Sequence, residues 1–135
     1  AMFIPIRLER NLLAAPPGSQ PWFILNCGRW NSMQGPLEVL SRAAVESFTD
    51  VARRTNMCFN AGLAWNKGED MFMSDCLPRL GAWGIQSFNL VWDNYCGGSF
   101  PPGMPCSVAK KVSYHKCKTV GAWQTCHQET LVFGA

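Results

Sequence analysis

The chain has 135 residues, of which 47% are hydrophobic and only 16% are charged, and its formal net charge is +3. This composition excludes a disordered chain and is typical of a single compact domain, which we expect over residues 1–135. The small excess of positive charge does not predict a nucleic-acid binder, because such proteins usually concentrate basic residues on one face.

The sequence contains seven cysteines, none of them in a C-x-x-C pair. Scattered cysteines in a small chain predict a disulfide framework and therefore a secreted, extracellular protein. The odd number leaves one free thiol or one intermolecular bridge. Residues 1–11 lack the pattern of a signal peptide, and no apolar run is long enough to span a bilayer.

Residues 1–20 are predicted to be an N-terminal segment and a turn rich in proline and glycine, "AAPPGSQP". The apolar run "PWFILNC" then predicts a buried strand that ends at Cys27. Residues 36–54 predict an amphipathic helix with Pro36 in its first turn. Its apolar residues recur at helical spacing: Leu37, Leu40, Ala44, Phe48 and Val51.

Further strands are predicted over residues 57–65 and 83–92, where apolar and polar residues alternate. The intervening segment "MFMSDCLPRLG" is expected to be irregular and broken at Pro78. Residues 94–107 predict a long loop with a cysteine near each end. The order of elements predicts an α+β fold in which one amphipathic helix packs on a mostly antiparallel, disulfide-stabilised sheet.

Residues 113–130, "SYHKCKTVGAWQTCHQET", predict a β-hairpin with Gly121 and Ala122 in a type II′ turn. In this register Cys117 lies directly opposite Cys126, in a pair whose Cα atoms are about 4.5 Å apart. That distance is within the range that a disulfide spans. The hairpin therefore predicts a Cys117–Cys126 disulfide, although another register or pairing remains open.

The same hairpin determines which residues could bind a metal ion together. His115, Cys117 and Cys126 share one face, whereas His127 points to the other, because adjacent strand residues face opposite ways. A site with four protein ligands therefore cannot come from the hairpin alone. A three-ligand site stays possible if another residue contributes, but we predict no metal and no other cofactor.

The second face of the hairpin carries an alternative, catalytic hypothesis. His127 lies opposite Lys116 there, and Glu129 lies opposite Tyr114. Such groups perform general acid–base chemistry on phosphodiesters such as RNA. The arrangement is similar in outline to small secreted ribonucleases, which pair a histidine with a glutamate on antiparallel strands under one helix. The simpler interpretation is that the four are polar residues along an exposed hairpin.

The leading functional prediction is a secreted interaction protein of the effector or toxin type that binds a protein target. Loops on a disulfide-bonded scaffold usually carry such recognition, and exposed aromatic residues anchor it. Carbohydrate and RNA remain alternative ligands because both stack on tryptophan, of which there are six. The candidate binding residues are Arg29, Trp30, Trp83, Tyr95, Phe100 and Met104.

Overall fold

The structure is a computed structural model that describes residues 1–12, 19–52, 55–59, 68–96 and 104–132. These residues contain five α-helices, five short strands and one 3₁₀-helix. The helices are α1 Pro5–Leu12, α2 Arg42–Ser47, α3 Glu69–Arg79, α4 Cys106–Ala109 and α5 Val120–Val132. The strands are β1 Met2–Phe3, β2 Trp22–Leu25, β3 Trp83–Gln86, β4 Val91–Trp92 and β5 Ser113–Tyr114, and the 3₁₀-helix is Asn94–Cys96. The predicted α+β class is confirmed.

The strands form two small sheets of mixed direction. One has the order β1-β5-β4, with β1 antiparallel and β4 parallel to β5, and the other pairs β2 with β3 in parallel. The prediction of a mostly antiparallel sheet is therefore wrong. Parallel neighbours need a long crossover between them. Helix α3 lies between β2 and β3 in the chain, and α4 lies between β4 and β5, in segments whose composition suggested irregular structure.

Helix α2 begins at Arg42 rather than in the predicted turn at Pro36. Ser41 caps the helix, since its Oγ accepts a hydrogen bond from Ala44 N at 3.2 Å. Leu37 and Leu40 precede the cap in extended backbone that forms isolated bridges. The helix continues through a π-helical turn at Phe48–Ala52. The apolar periodicity therefore located the second half of the predicted helix. A single helix packed on a sheet is not what the structure contains.

Two segments between residues 57 and 81 differ from their predictions. Residues 57–59 form a turn instead of the start of a strand, and residues 60–65 lie outside the described part of the chain. The segment expected to be irregular forms most of α3. The helix ends one residue after Pro78, as expected because proline has no backbone N–H to donate and its ring crowds the preceding turn. The strand predicted over 83–92 is divided into β3 and β4 by a turn.

The predicted hairpin at 113–130 is wrong, since only Ser113–Tyr114 is a strand and Val120–Val132 is helix α5. The Cys117–Cys126 disulfide is therefore also wrong: Cys126 is bonded to Cys106. The other two disulfides join Cys27 to Cys96 and Cys58 to Cys76. Cys117 is left as a buried free thiol, so the prediction of a disulfide framework with one unpaired cysteine is confirmed.

The ends of the predicted 94–107 loop are both held by disulfides, through Cys96 and Cys106, but to other parts of the chain rather than to each other. Residues 97–103 lie outside the described residues. Around this region the core contains Met2, Ile4, Trp92 and Tyr114. None of the helices in the described ranges has the length and apolar character needed to cross a membrane.

Candidate functional site

The candidate site begins where two parallel strands end. Asp93 directly follows β4 and His115 directly follows β5. The strands pair with Trp92 opposite Tyr114, and His115 N donates a hydrogen bond to Trp92 O at 3.0 Å. Because the carboxyl ends of parallel strands meet at the same edge of a sheet, this register brings Asp93 and His115 together.

The side chains of His115 and Asp93 form a pair in which Asp93 is buried and His115 is partly exposed. His115 Nδ1 lies 2.6 Å from Asp93 Oδ2, while Asp93 Oδ1 accepts a hydrogen bond from Tyr95 N at 2.8 Å. Asp93 is only 4% exposed. Because an ionised carboxylate only accepts hydrogen bonds, the pairing assigns the imidazole proton to Nδ1. Nε2 is then the ring nitrogen that a ligand can reach, as acceptor when His115 is neutral and as donor when it is charged.

A cavity of about 160 Å³ opens beside this pair, and charged, polar and aromatic residues line it. Lys116 is held in place there, with Nζ 3.9 Å from the Trp92 ring centroid and donating to Met104 O at 2.9 Å. Lys118 is exposed at the same cavity. Two ammonium groups and an imidazole face one buried carboxylate, so the cavity favours an anionic ligand. The lining residues are Trp92, Asp93, Asn94, Tyr95, His115, Lys116 and Lys118.

An exposed aromatic surface lies next to the cavity. Tyr95 lines the cavity and is 68% exposed. The following residue, Cys96, is bonded to Cys27, and a Cβ on Gly28 would lie 3.8 Å from Cys96 O. The disulfide therefore holds the turn after Cys27 against the segment that carries Tyr95. That turn presents Trp30, which is 54% exposed.

The predicted binding residues are thus distributed over several places. Arg29 lies over the Trp30 ring, 4.9 Å from its centroid, in the turn beside Tyr95. Met104 lines a different cavity. Trp83 is 76% exposed, but it belongs to β3 in the other sheet. Phe100 lies outside the described residues.

The four residues of the catalytic hypothesis do not form one cluster. The Tyr114 hydroxyl is buried, where it donates to Cys106 O and accepts from Arg7 Nη1. His127 stacks on Trp123, with ring centroids 4.8 Å apart. Since α5 turns by about 100° per residue, His127 and Glu129 point to nearly opposite sides of it. The predicted juxtaposition is wrong because it depended on a hairpin.

Lys116 and Glu129 do meet at a second cavity, of about 300 Å³. Glu129 Oε2 accepts a hydrogen bond from Cys106 N at 2.6 Å, which joins α5 to α4. Cys106, Cys117 and Cys126 also line this cavity. The three-ligand metal set of His115, Cys117 and Cys126 is not assembled, since His115 pairs with Asp93 and Cys126 is in a disulfide.

Sequence reasoning missed Asp93 and Lys118 and assigned His115 only to a metal site. The available signal was modest: in "VWD" a polar residue directly follows a predicted strand, whereas His115 of "SYH" lay inside a strand of the predicted hairpin. Their proximity followed from a parallel pairing that was not predicted. Searches against protein-family models, curated proteins and known structures found no match for this chain.

Proposed function

We propose that this protein is a secreted, disulfide-stabilised interaction protein of the effector or toxin type. Its target is a protein that places a phosphorylated side chain in the cavity beside His115. The observation that carries this proposal is the cavity itself, where His115, Lys116 and Lys118 face an anion-sized space.

One feature of the chain supports an extracellular location, and another supports an anionic target. Three disulfides are present among the described residues, and disulfides persist mainly in oxidising compartments. The chain also has a small excess of positive charge, which suits an anionic target without steering strongly to nucleic acid.

The rigidity of the cavity supports recognition by a preformed site. Asp93 fixes the orientation of His115, and Trp92 holds the Lys116 ammonium against its ring face. Lys118 is free to turn towards a phosphate oxygen. Tyr95 offers exposed aromatic area at the cavity, and Trp30 is exposed in the turn that the Cys27–Cys96 disulfide ties to this segment. Such residues commonly anchor protein interfaces.

Charge reversal at the cavity is the direct test. We expect Lys118→Glu to weaken binding of a phosphoserine peptide by about tenfold, because one ion pair is replaced by repulsion. Binding is measured by NMR titration, following the His115 ring signals. The matched control is Lys110→Glu, which changes the net charge equally at an exposed residue that does not line the cavity.

The proposal also predicts a specific ligand preference. The unphosphorylated serine peptide should leave the His115 signals in place, and raising the ionic strength should weaken the phosphopeptide complex. Equal losses in the Lys118 and Lys110 variants would refute a role for this cavity. Saturable binding of an RNA oligonucleotide without binding of the phosphopeptide would show that the proposed partner, a phosphorylated protein, is wrong.

The His115–Asp93 pair specifically favours a second candidate, a small secreted hydrolase of RNA. In this candidate His115 Nε2 accepts the proton of the attacking ribose 2′-hydroxyl, and Lys116 and Lys118 hold the phosphate oxygens. The 2′-oxygen bonds to phosphorus as the bond to the 5′-oxygen breaks, and the departing 5′-oxygen takes up a proton from water. Asp93 keeps the imidazole in the tautomer that leaves Nε2 unprotonated. This assignment replaces His127 and Glu129 as the acid–base residues.

The two histidines make a matched pair for testing hydrolysis. If the chain cleaves RNA, His115→Asn should reduce the rate by about a hundredfold, since general base catalysis is lost, while His127→Asn should keep it. Asparagine retains a donor near the position of Nδ1, so the contact with Asp93 survives. Cleavage no faster than a buffer blank would eliminate the hydrolase, and equal loss in both variants would eliminate His115 as its base.

A further inference from the structure

A free thiol lies beside a disulfide in the wall of the second cavity. The sulfur atoms of Cys106, Cys117 and Cys126 all lie within 4.8 Å of one another. Cys106 and Cys126 are bonded together, and Cys117 is unpaired. Thiol–disulfide exchange needs a thiolate that approaches a disulfide sulfur, and Cys117 Sγ lies within 4.8 Å of both sulfurs of this disulfide.

The charges around Cys117 set the amount of thiolate. Burial raises the pKa of the Cys117 thiol, Glu129 acts in the same direction, and Lys116 and the N-terminal amino group oppose them. The buried Tyr114 hydroxyl is the other titratable group close by. The thiol is therefore mostly protonated at neutral pH, and its thiolate fraction increases with pH.

We propose that Cys117 exchanges with the Cys106–Cys126 disulfide, so that the protein interconverts between disulfide isomers. This inference is independent of the proposed function. The Cys117 thiolate attacks one sulfur and forms a new S–S bond, while the Cys106–Cys126 bond breaks. The displaced sulfur leaves as a thiolate and takes up the proton that Cys117 released. No net oxidation or reduction occurs, so no external reagent is needed.

The exchange would change how α5 is anchored. In the starting isomer the disulfide ties α5 to α4 through Cys126 and Cys106. Attack on Cys106 frees Cys126 and removes this covalent tie, whereas attack on Cys126 ties α5 to Cys117 instead. Cys117 follows Lys116, which lines both cavities. The pairing of the cysteines is thereby linked to the position of a cavity lysine.

The test identifies which cysteine carries the thiol as a function of time. The native protein is incubated at pH 7 and pH 9 without reductant, quenched in acid, unfolded, and alkylated with N-ethylmaleimide in acidic denaturant. The chain has lysines at 67, 110, 111, 116 and 118, so cleavage after lysine puts the three cysteines on three different peptides. The peptide 68–110 carries Cys76 and Cys96 as well as Cys106, and its fragmentation in the mass spectrometer locates the label. We expect the label to move from Cys117 to Cys106 or Cys126, about a hundred times faster at pH 9 than at pH 7.

Two controls separate this exchange from general scrambling. The intramolecular rate should not depend on protein concentration, and the Cys27–Cys96 pair should stay intact. In Cys117→Ala no attacking thiol is present, so Cys106 and Cys126 should remain bonded and unlabelled. Label that stays on Cys117 alone at both pH values would overturn the proposal, as would a rate proportional to protein concentration.

Discussion

Unfolding of the Cys27→Ala/Cys96→Ala double variant is expected to require about 4 kcal/mol less free energy than unfolding of the wild type. This disulfide joins residues 69 positions apart, whereas the other two span 18 and 20 positions. In the chain-entropy description a longer closed loop restricts the unfolded chain more, which gives about 4 kcal/mol for this bridge and about 3 kcal/mol for each shorter one. The free energies are measured by urea unfolding.

The comparison variant is Cys58→Ala/Cys76→Ala, which removes a disulfide between two buried cysteines that closes a shorter loop, whereas in the long bridge Cys27 is buried and Cys96 is half-buried. A smaller loss for Cys27–Cys96 than for Cys58–Cys76 would contradict the ranking. The long bridge also connects the fold to the site, because it holds the turn carrying Trp30 next to Tyr95. The Cys27→Ala/Cys96→Ala variant should therefore lose more affinity for a ligand that contacts these aromatic rings than for a ligand that contacts only Lys118.

Local sequence signals predicted some elements well. The run "WFIL" is a strand buried on both faces, as its apolar and aromatic composition indicates. The periodicity around Ala44 and Phe48 correctly indicated a helix, but Ser41 rather than Pro36 marks its start. Ser41 and Pro36 both suit a helix start. The helix begins at the later position because Leu37 and Leu40, which lie between them, pack in extended backbone.

The largest error, the hairpin at 113–130, has an identifiable cause. The pair Gly121-Ala122, flanked by Val120 and Trp123, resembles a two-residue turn between strands. Over residues 120–131, whose side chains the structure describes, helix α5 buries only a narrow stripe: Cys126 and Thr130, with Glu129 partly covered. This stripe contains no large apolar residue. A helix held by one disulfide and a carboxylate contact has weak apolar periodicity, so an analysis based on that periodicity does not detect it.

The candidate site was predictable only in its parts. Tyr95, Lys116 and His115 were each identified from the sequence, but the residue that organises them, Asp93, was not. Its role depends on β4 lying parallel to β5 and on both strands ending at the same edge. Pairing between strands 22 positions apart in the chain is a tertiary property, and no local pattern in either segment specifies it.

Tyr114→Phe is expected to lower the free energy of unfolding by about 3 kcal/mol. The Tyr114 hydroxyl donates to Cys106 O at 2.5 Å and accepts from Arg7 Nη1 at 2.8 Å and from Lys111 N at 2.9 Å. Removing the oxygen leaves a buried carbonyl and a backbone N–H without this partner, and it takes one acceptor from a buried guanidinium. Each such loss costs about 1–3 kcal/mol, and a charged group costs more.

The ring itself stays in Tyr114→Phe, so its packing against Trp92 is retained and the change isolates the hydrogen bonds. Tyr95→Phe is the matched control, because it removes the same atom from an exposed side chain and should alter stability by less than about 0.5 kcal/mol. Urea unfolding of both variants gives the difference. If Tyr114→Phe lowers the free energy of unfolding by less than about 1 kcal/mol, the hydroxyl does not contribute to holding α1, α4 and β5 together. The three partners already use the hydrogen-bonding capacity of the Tyr114 hydroxyl, so Tyr114 acts by holding the strand that ends at His115. Tyr114→Phe is therefore expected to reduce ligand binding only to the extent that it unfolds the protein.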